Sequence, residues 1–163
     1  MLAKRVPLVS ATGWAFAKSM PLGTTTWRAA DSLLKLRTQV NAQWPNRSKA
    51  SDGTVGDSAH QTRDSDHNPW VKDGAMGVVT AIDITHDPAN GCDAEAVVAA
   101  LLASRDNRIK YIIWNRRIMS SSVSPWTWRP YTGANPHNKH FHLSVLPTKS
   151  LYDGTQDWRI TAA

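Results

Sequence analysis

Residues 77–84 read Gly-Val-Val-Thr-Ala-Ile-Asp-Ile. The run is β-branched and apolar, which predicts a buried strand. Side chains alternate along a strand, so Asp83 shares a face with Val79 and Ala81, while Ile82 and Ile84 take the other. An aspartate inside an apolar strand is costly unless it is paired or bound to a metal. The plainer reading is a solvated aspartate at the strand end, because the turn-like Thr85-His86-Asp87-Pro88 follows at once. Residues 140–146, His-Phe-His-Leu-Ser-Val-Leu, predict a second strand. Its alternation places His140, His142 and Ser144 on one face and Phe141, Leu143 and Val145 on the other. Residues 110–115 (Lys-Tyr-Ile-Ile-Trp-Asn) predict a third. Outward from these, Leu33, Leu36 and Val40 recur at helical spacing, predicting a helix over 26–43 that Trp44-Pro45 stops. Asp93 suits the N-cap of a second helix over 94–104, with Val97, Val98, Leu101 and Leu102 as its apolar face. Two helices and at least three strands without regular βαβ alternation predict an α+β fold. It is a small single domain with a central, mostly antiparallel sheet flanked by helices.

The chain has 163 residues, a length that suits one domain with a real core. It is expected to divide into an N-terminal arm (1–25), a main domain (26–150) and a C-terminal tail (151–163), with no repeat and no low-complexity tract. The arm has a basic start and Ala15-Phe16-Ala17 of cleavage-site form, but Pro7, Ser10, Thr12 and Gly13 dilute its apolar part. The preferred reading is an arm that packs Trp14 and Phe16 on the domain. At 41% hydrophobic residues and a mean hydropathy of -0.41, the composition is that of a soluble globular chain. No apolar stretch approaches the roughly 20 residues of a membrane span. One cysteine, Cys92, excludes an internal disulfide framework and any multi-cysteine metal site. The formal net charge of +6 points to a polyanionic partner: nucleic acid, anionic lipid or an acidic cell-wall polymer.

Five of the six histidines are clustered: His60 and His67 in one polar segment, and His137, His140 and His142 within six residues. His67, Asp83 and His142 together make a two-histidine, one-carboxylate set, which suits one Zn²⁺ per chain and leaves a fourth position open for water. Zinc lowers the pKa of that water toward 7 and polarises a carbonyl. His140, on the same strand face as His142, is placed to work beside the metal. The helical His-Glu-x-x-His motif is absent.

The segments Ser65-Asp66-His67-Asn68, Thr80-Ala81-Ile82-Asp83 and His137-Asn138-Lys139-His140-Phe141-His142 resemble zinc peptidases of the D-Ala-D-Ala metallopeptidase and lysostaphin type. In particular the chain from about Trp27 to Val145 is similar to a phage- and bacterium-encoded, endolysin-like subset. The resemblance implies His67, Asp83 and His142 as zinc ligands and His140 as the residue that handles protons. By the same resemblance His137 lines the site, and Arg47, within Asn46-Arg47-Ser48, donates to the oxyanion or to a substrate carboxylate. Two departures stand out. His67 and Asp83 are sixteen residues apart where the family has seven, so residues 69–76 are an insert, expected to form a turn or flap. Lys139 occupies the position where many members carry an acidic base; His140 is favoured for that work, ahead of Asp66 or Asp64.

Arg63, beside the ligand segment, and His60 are further candidates for the substrate cleft, and Trp128 is a candidate for lining a groove. His86 reads as structural and Cys92 as no nucleophile. The function expected is a zinc-dependent peptidoglycan peptidase that cuts an amide in cell-wall stem peptides or cross-links. It would act as a monomer at the cell wall, without a nucleic-acid partner. The alternatives are a D-Ala-D-Ala carboxypeptidase or dipeptidase, a metal-dependent nuclease, and a non-catalytic wall-binding module.

Overall fold

A computed structural model describes residues 26–56 and 64–162. The order of elements is β1 (Trp27–Ala29), α1 (Asp31–Gln43), β2 (Val71–Asp73), β3 (Met76–Val79), β4 (Ala81–Thr85), α2 (Ala94–Ser104), β5 (Ile109–Trp114), β6 (Arg117–Ser120), β7 (Arg129–Pro130), β8 (His140–Val145) and α3 (Lys149–Tyr152). Strands β4-β8-β5-β6-β7 form a five-stranded sheet, antiparallel throughout, and β1-β3-β2 form a smaller one in which β1 runs parallel to β3. This is the α+β architecture with a mostly antiparallel sheet that the pattern predicts. Ile82, Ile84, Ile112, Phe141, Leu143 and Val145 from the large sheet meet Leu33, Leu36 and Val40 of α1 and Val97, Val98 and Leu101 of α2 in one core. Among the described residues no helix is long and apolar enough to cross a membrane.

Three departures from the sequence reading have physical causes. The predicted helix 26–43 starts only at Asp31, because residues 27–29 pair with 77–79 and the Ala30 N–H donates to the Val79 carbonyl at 3.0 Å. Tertiary pairing outweighs the helix propensity of Arg28, Ala29 and Ala30. The predicted strand 77–84 is split at Thr80 between the two sheets. The Thr80 N–H donates to Asp66 and its carbonyl accepts from Val145, so the backbone crosses from one ladder to the next there. The insert ahead of Gly77 is neither a plain turn nor a loose flap. It forms a hairpin, β2 and β3, turning at Gly74, whose φ of +62° is a left-handed conformation that glycine adopts without strain.

The second helix runs as expected, with the Asp93 side chain accepting from the Glu95 N–H. His86 is structural: its Nδ1 accepts from the Ala94 N–H at that helix start, and its ring lies 5.0 Å from that of Trp114. Residues 151–162, expected as a tail, bury Tyr152, Trp158 and Ile160 in the core. Arg108, wholly enclosed, holds this segment. It bonds the carbonyls of Gly154 and Gln156 at 3.0 and 2.8 Å, pairs with Asp106 and stacks 3.6 Å over the Trp158 ring. Tryptophans 44, 70, 126 and 128 pack around the core margin, and Trp114 lies inside it. The arm 1–25, with Trp14 and Phe16, lies outside the described residues, as do His60 and Arg63.

Candidate metal centre

Strand pairing builds two thirds of the site. In the β4–β8 ladder Asp83 stands directly opposite His142, which fixes carboxylate and imidazole on one face of the sheet. His142 Nδ1 lies 3.1 Å from Asp83 Oδ1. His67 arrives from the loop that precedes β2, with its Nε2 3.0 Å from His142 Nδ1 and 3.3 Å from Asp83 Oδ1. Three ligand atoms therefore lie 3.0–3.3 Å from one another. Metal–ligand bonds of about 2.0–2.1 Å in a tetrahedron need donors about 3.3 Å apart, so the three residues present fit a zinc ion.

The rings are oriented from behind. His67 Nδ1 donates to the Thr54 carbonyl at 2.5 Å. A carbonyl only accepts, so Nε2 carries a lone pair toward the site. His142 Nε2 lies 2.9 Å from Ser144 Oγ; with that proton given to the hydroxyl, Nδ1 also offers a lone pair. The Tyr111 ring stacks on His142 with 5.3 Å between centroids and 11° between planes, and its hydroxyl bonds Ser144 and Asp66. Lys110, beside a bulge in the β5–β8 pairing, closes on Asp66 at 2.9 Å. Asp66 is thus committed to this buried pair.

Charge follows burial. Burial pushes the Asp83 carboxyl up, but the adjoining His142 and His67 rings outweigh that and hold it far below the ordinary carboxylate range. Burial pushes His142 down, with Asp83 offsetting part of the shift. His67 feels the same burial, yet the Asp83 bond and charge raise it above its usual value. His137 is lowered to about 4, by burial first and then by His142, so it is neutral at pH 7. The Cys92 thiol, buried, is pushed up to about 11, which agrees with its reading as no nucleophile.

A cleft of about 540 Å³ opens onto Asp83 and His140, between residues 51–53 on one wall and Asn135, Pro136, Asn138 and Lys139 on the other. His140 lies with its Nε2 3.6 Å from Asp83 Oδ2, and both of its ring nitrogens are shielded without a hydrogen-bond partner. His137 stands edge-on to both His140 and His142, with centroids 5.2 and 5.7 Å apart. Lys139 lines the cleft.

Two expected site residues have other tasks. The Arg47 guanidinium is fully enclosed: Nε donates to Asn41, and Nη1 and Nη2 grip Asp52 at 2.8 and 2.5 Å. Asp52 also accepts from the Thr85 backbone N–H and hydroxyl at 2.9 and 2.8 Å. This staple holds residues 52–54 along β4, where Gly53 and Asp83 exchange two backbone bonds and Thr54 meets His67. Arg47 thus positions this segment. Trp128 is not among the cleft's lining residues; it packs on the core margin under the Arg117 guanidinium, 4.8 Å from its ring. Sequence reasoning missed Asp52, Thr54 and Tyr111. Asp52-Gly53 reads only as a turn dipeptide, and a backbone carbonyl such as that of Thr54 leaves no sequence signal.

No protein-family model, no curated protein and no solved structure matches this chain.

Proposed function

We propose that this protein is a zinc-dependent peptidase that hydrolyses an amide bond in the stem peptides or cross-links of peptidoglycan. The observation that carries the reading is the convergence of His67 Nε2, Asp83 Oδ1 and His142 Nδ1 at tetrahedral spacing, beside a histidine with no hydrogen-bond partner at the end of an open cleft. Zinc held there would polarise a scissile carbonyl and lower the pKa of water toward 7. The chain's own residues do the rest. Asp83, kept ionised, supplies the negative charge that the donor set needs. His140 accepts the proton of the attacking water and returns it to the leaving amine, which is general acid–base work for a ring with free nitrogens. His137, neutral at pH 7, adds no positive charge against that transfer.

The substrate class rests on the sequence resemblance and on charge. A net charge of +6 favours a polymer dense in carboxylates and phosphates, and the protein then acts at the cell wall. The test is mass spectrometry of fragments released from purified peptidoglycan, with and without a chelator. New amine and carboxylate ends that vanish with chelation support the reading, and their masses identify the bond. Release of terminal D-Ala alone makes the enzyme a carboxypeptidase. No release, with chelator-sensitive nicking of plasmid DNA instead, makes it a nuclease.

A further inference from the structure

Asp83 turns one oxygen toward each of two histidine groups. Oδ1 belongs to the centre described above, and Oδ2 faces His140 Nε2 at 3.6 Å. Asp83, His137 and His140 form a second set whose ligand atoms all lie within 4.8 Å of one another, and it shares only Asp83 with the first. His137 Nδ1 is committed to the Asn135 carbonyl at 2.8 Å, so Nε2 keeps its lone pair. Both nitrogens of His140 are shielded from solvent and unbonded, and a buried polar atom left without a partner is costly. A divalent ion satisfies these groups together, because two neutral imidazoles and a carboxylate suit zinc.

We propose that Asp83, His137 and His140 form a second, weaker zinc site, and that filling it shuts the enzyme down. The site is weaker for three reasons. It shares its carboxylate, its donors must draw together from wider spacing, and the ion sits beside another dication. Filling it inhibits because a metal on the His140 lone pair leaves that nitrogen unable to take a proton. The inhibitory half rests on the proton-handling role proposed above; the binding half does not.

Equilibrium dialysis of the full chain against rising free zinc tests the binding. The expected result is two equivalents of distinct affinity, with His137→Gln and His140→Gln each saturating at one. Saturation of the unaltered chain at one equivalent overturns the proposal, and so does a second equivalent that survives in both variants. Wall lysis followed over the same zinc series should fall roughly tenfold or more as the second equivalent binds. Two equivalents with undiminished lysis overturn the inhibitory half. Absence of lysis at every zinc level sinks the peptidase reading instead, while the stoichiometry still decides the second site.

Discussion

The two strand-borne ligands and the one loop-borne ligand of the centre are held by different means. Asp83 and His142 face each other across a ladder in the middle of the fold, and moving either would mean slipping the β4–β8 register. His67 sits in a loop, and its ring is fixed through Thr54, whose segment is fastened to β4 by Arg47, Asp52 and Thr85. The fold provides the first pair as a by-product of its core, whereas the third ligand needs a dedicated buried ion pair. Damage to the staple should therefore loosen one ligand and leave the other two in place.

The largest effect falls on the strand pair. His142→Ala takes one donor from the candidate centre and exposes the Asp83 charge; the unaltered protein should purify with about one zinc per chain and the variant without it. Full zinc retention by metal analysis would break the ligand assignment. His140→Ala, on the same strand but outside the first donor set, should keep its zinc and lose activity by roughly 10²-fold or more. Undiminished wall lysis would remove His140 from the proton-handling role.

The staple comes next. Arg47→Met takes the cation from the Asp52 carboxylate and leaves it only the two Thr85 bonds, a change that costs about 1–3 kcal/mol, to be read from denaturant unfolding. Zinc affinity should drop by roughly 10–100-fold, because His67 loses its support while Asp83 and His142 stay aligned. Unchanged affinity in a destabilised variant would show that the loop ligand does not depend on the staple. The smallest effect is on acid sensitivity. Burial pushes the Asp52 carboxyl up, but Arg47 and Thr85 together hold it below its ordinary value. A depressed carboxyl stabilises the fold above its unfolded pKa of about 3.9, and that stability fades as pH falls toward the lower folded pKa. Unfolding followed from pH 5 to pH 2 should show a shallower loss in Asp52→Asn than in the unaltered protein; equal slopes would remove the pair as a source of acid sensitivity.

The same contrast explains what was legible in the sequence. His140, His142 and Asp83 could be read because strand alternation is local and repeats every two residues. The position of Thr80 between two sheets could not be, since it depends on Asp66 and Val145, which are distant in sequence. Arg47 was legible as important but not as buried. Its partner Asp52 looks like any turn residue, and only the packed fold shows that the pair faces inward. The eight tryptophans carry no periodic signal; of the described ones Trp27 is exposed, and the others flank or enter the core.

The buried Arg108 has a consequence for handling the protein. Its guanidinium takes its partners from the carbonyls of residues 154, 156 and 157 and from the face of Trp158. A gene trimmed at codon 150 to retain only the histidine-bearing strands would leave the Arg108 guanidinium with Asp106 alone and open the core where Tyr152, Trp158 and Ile160 sit. Affinity tags and fusion partners at this end therefore belong after residue 160.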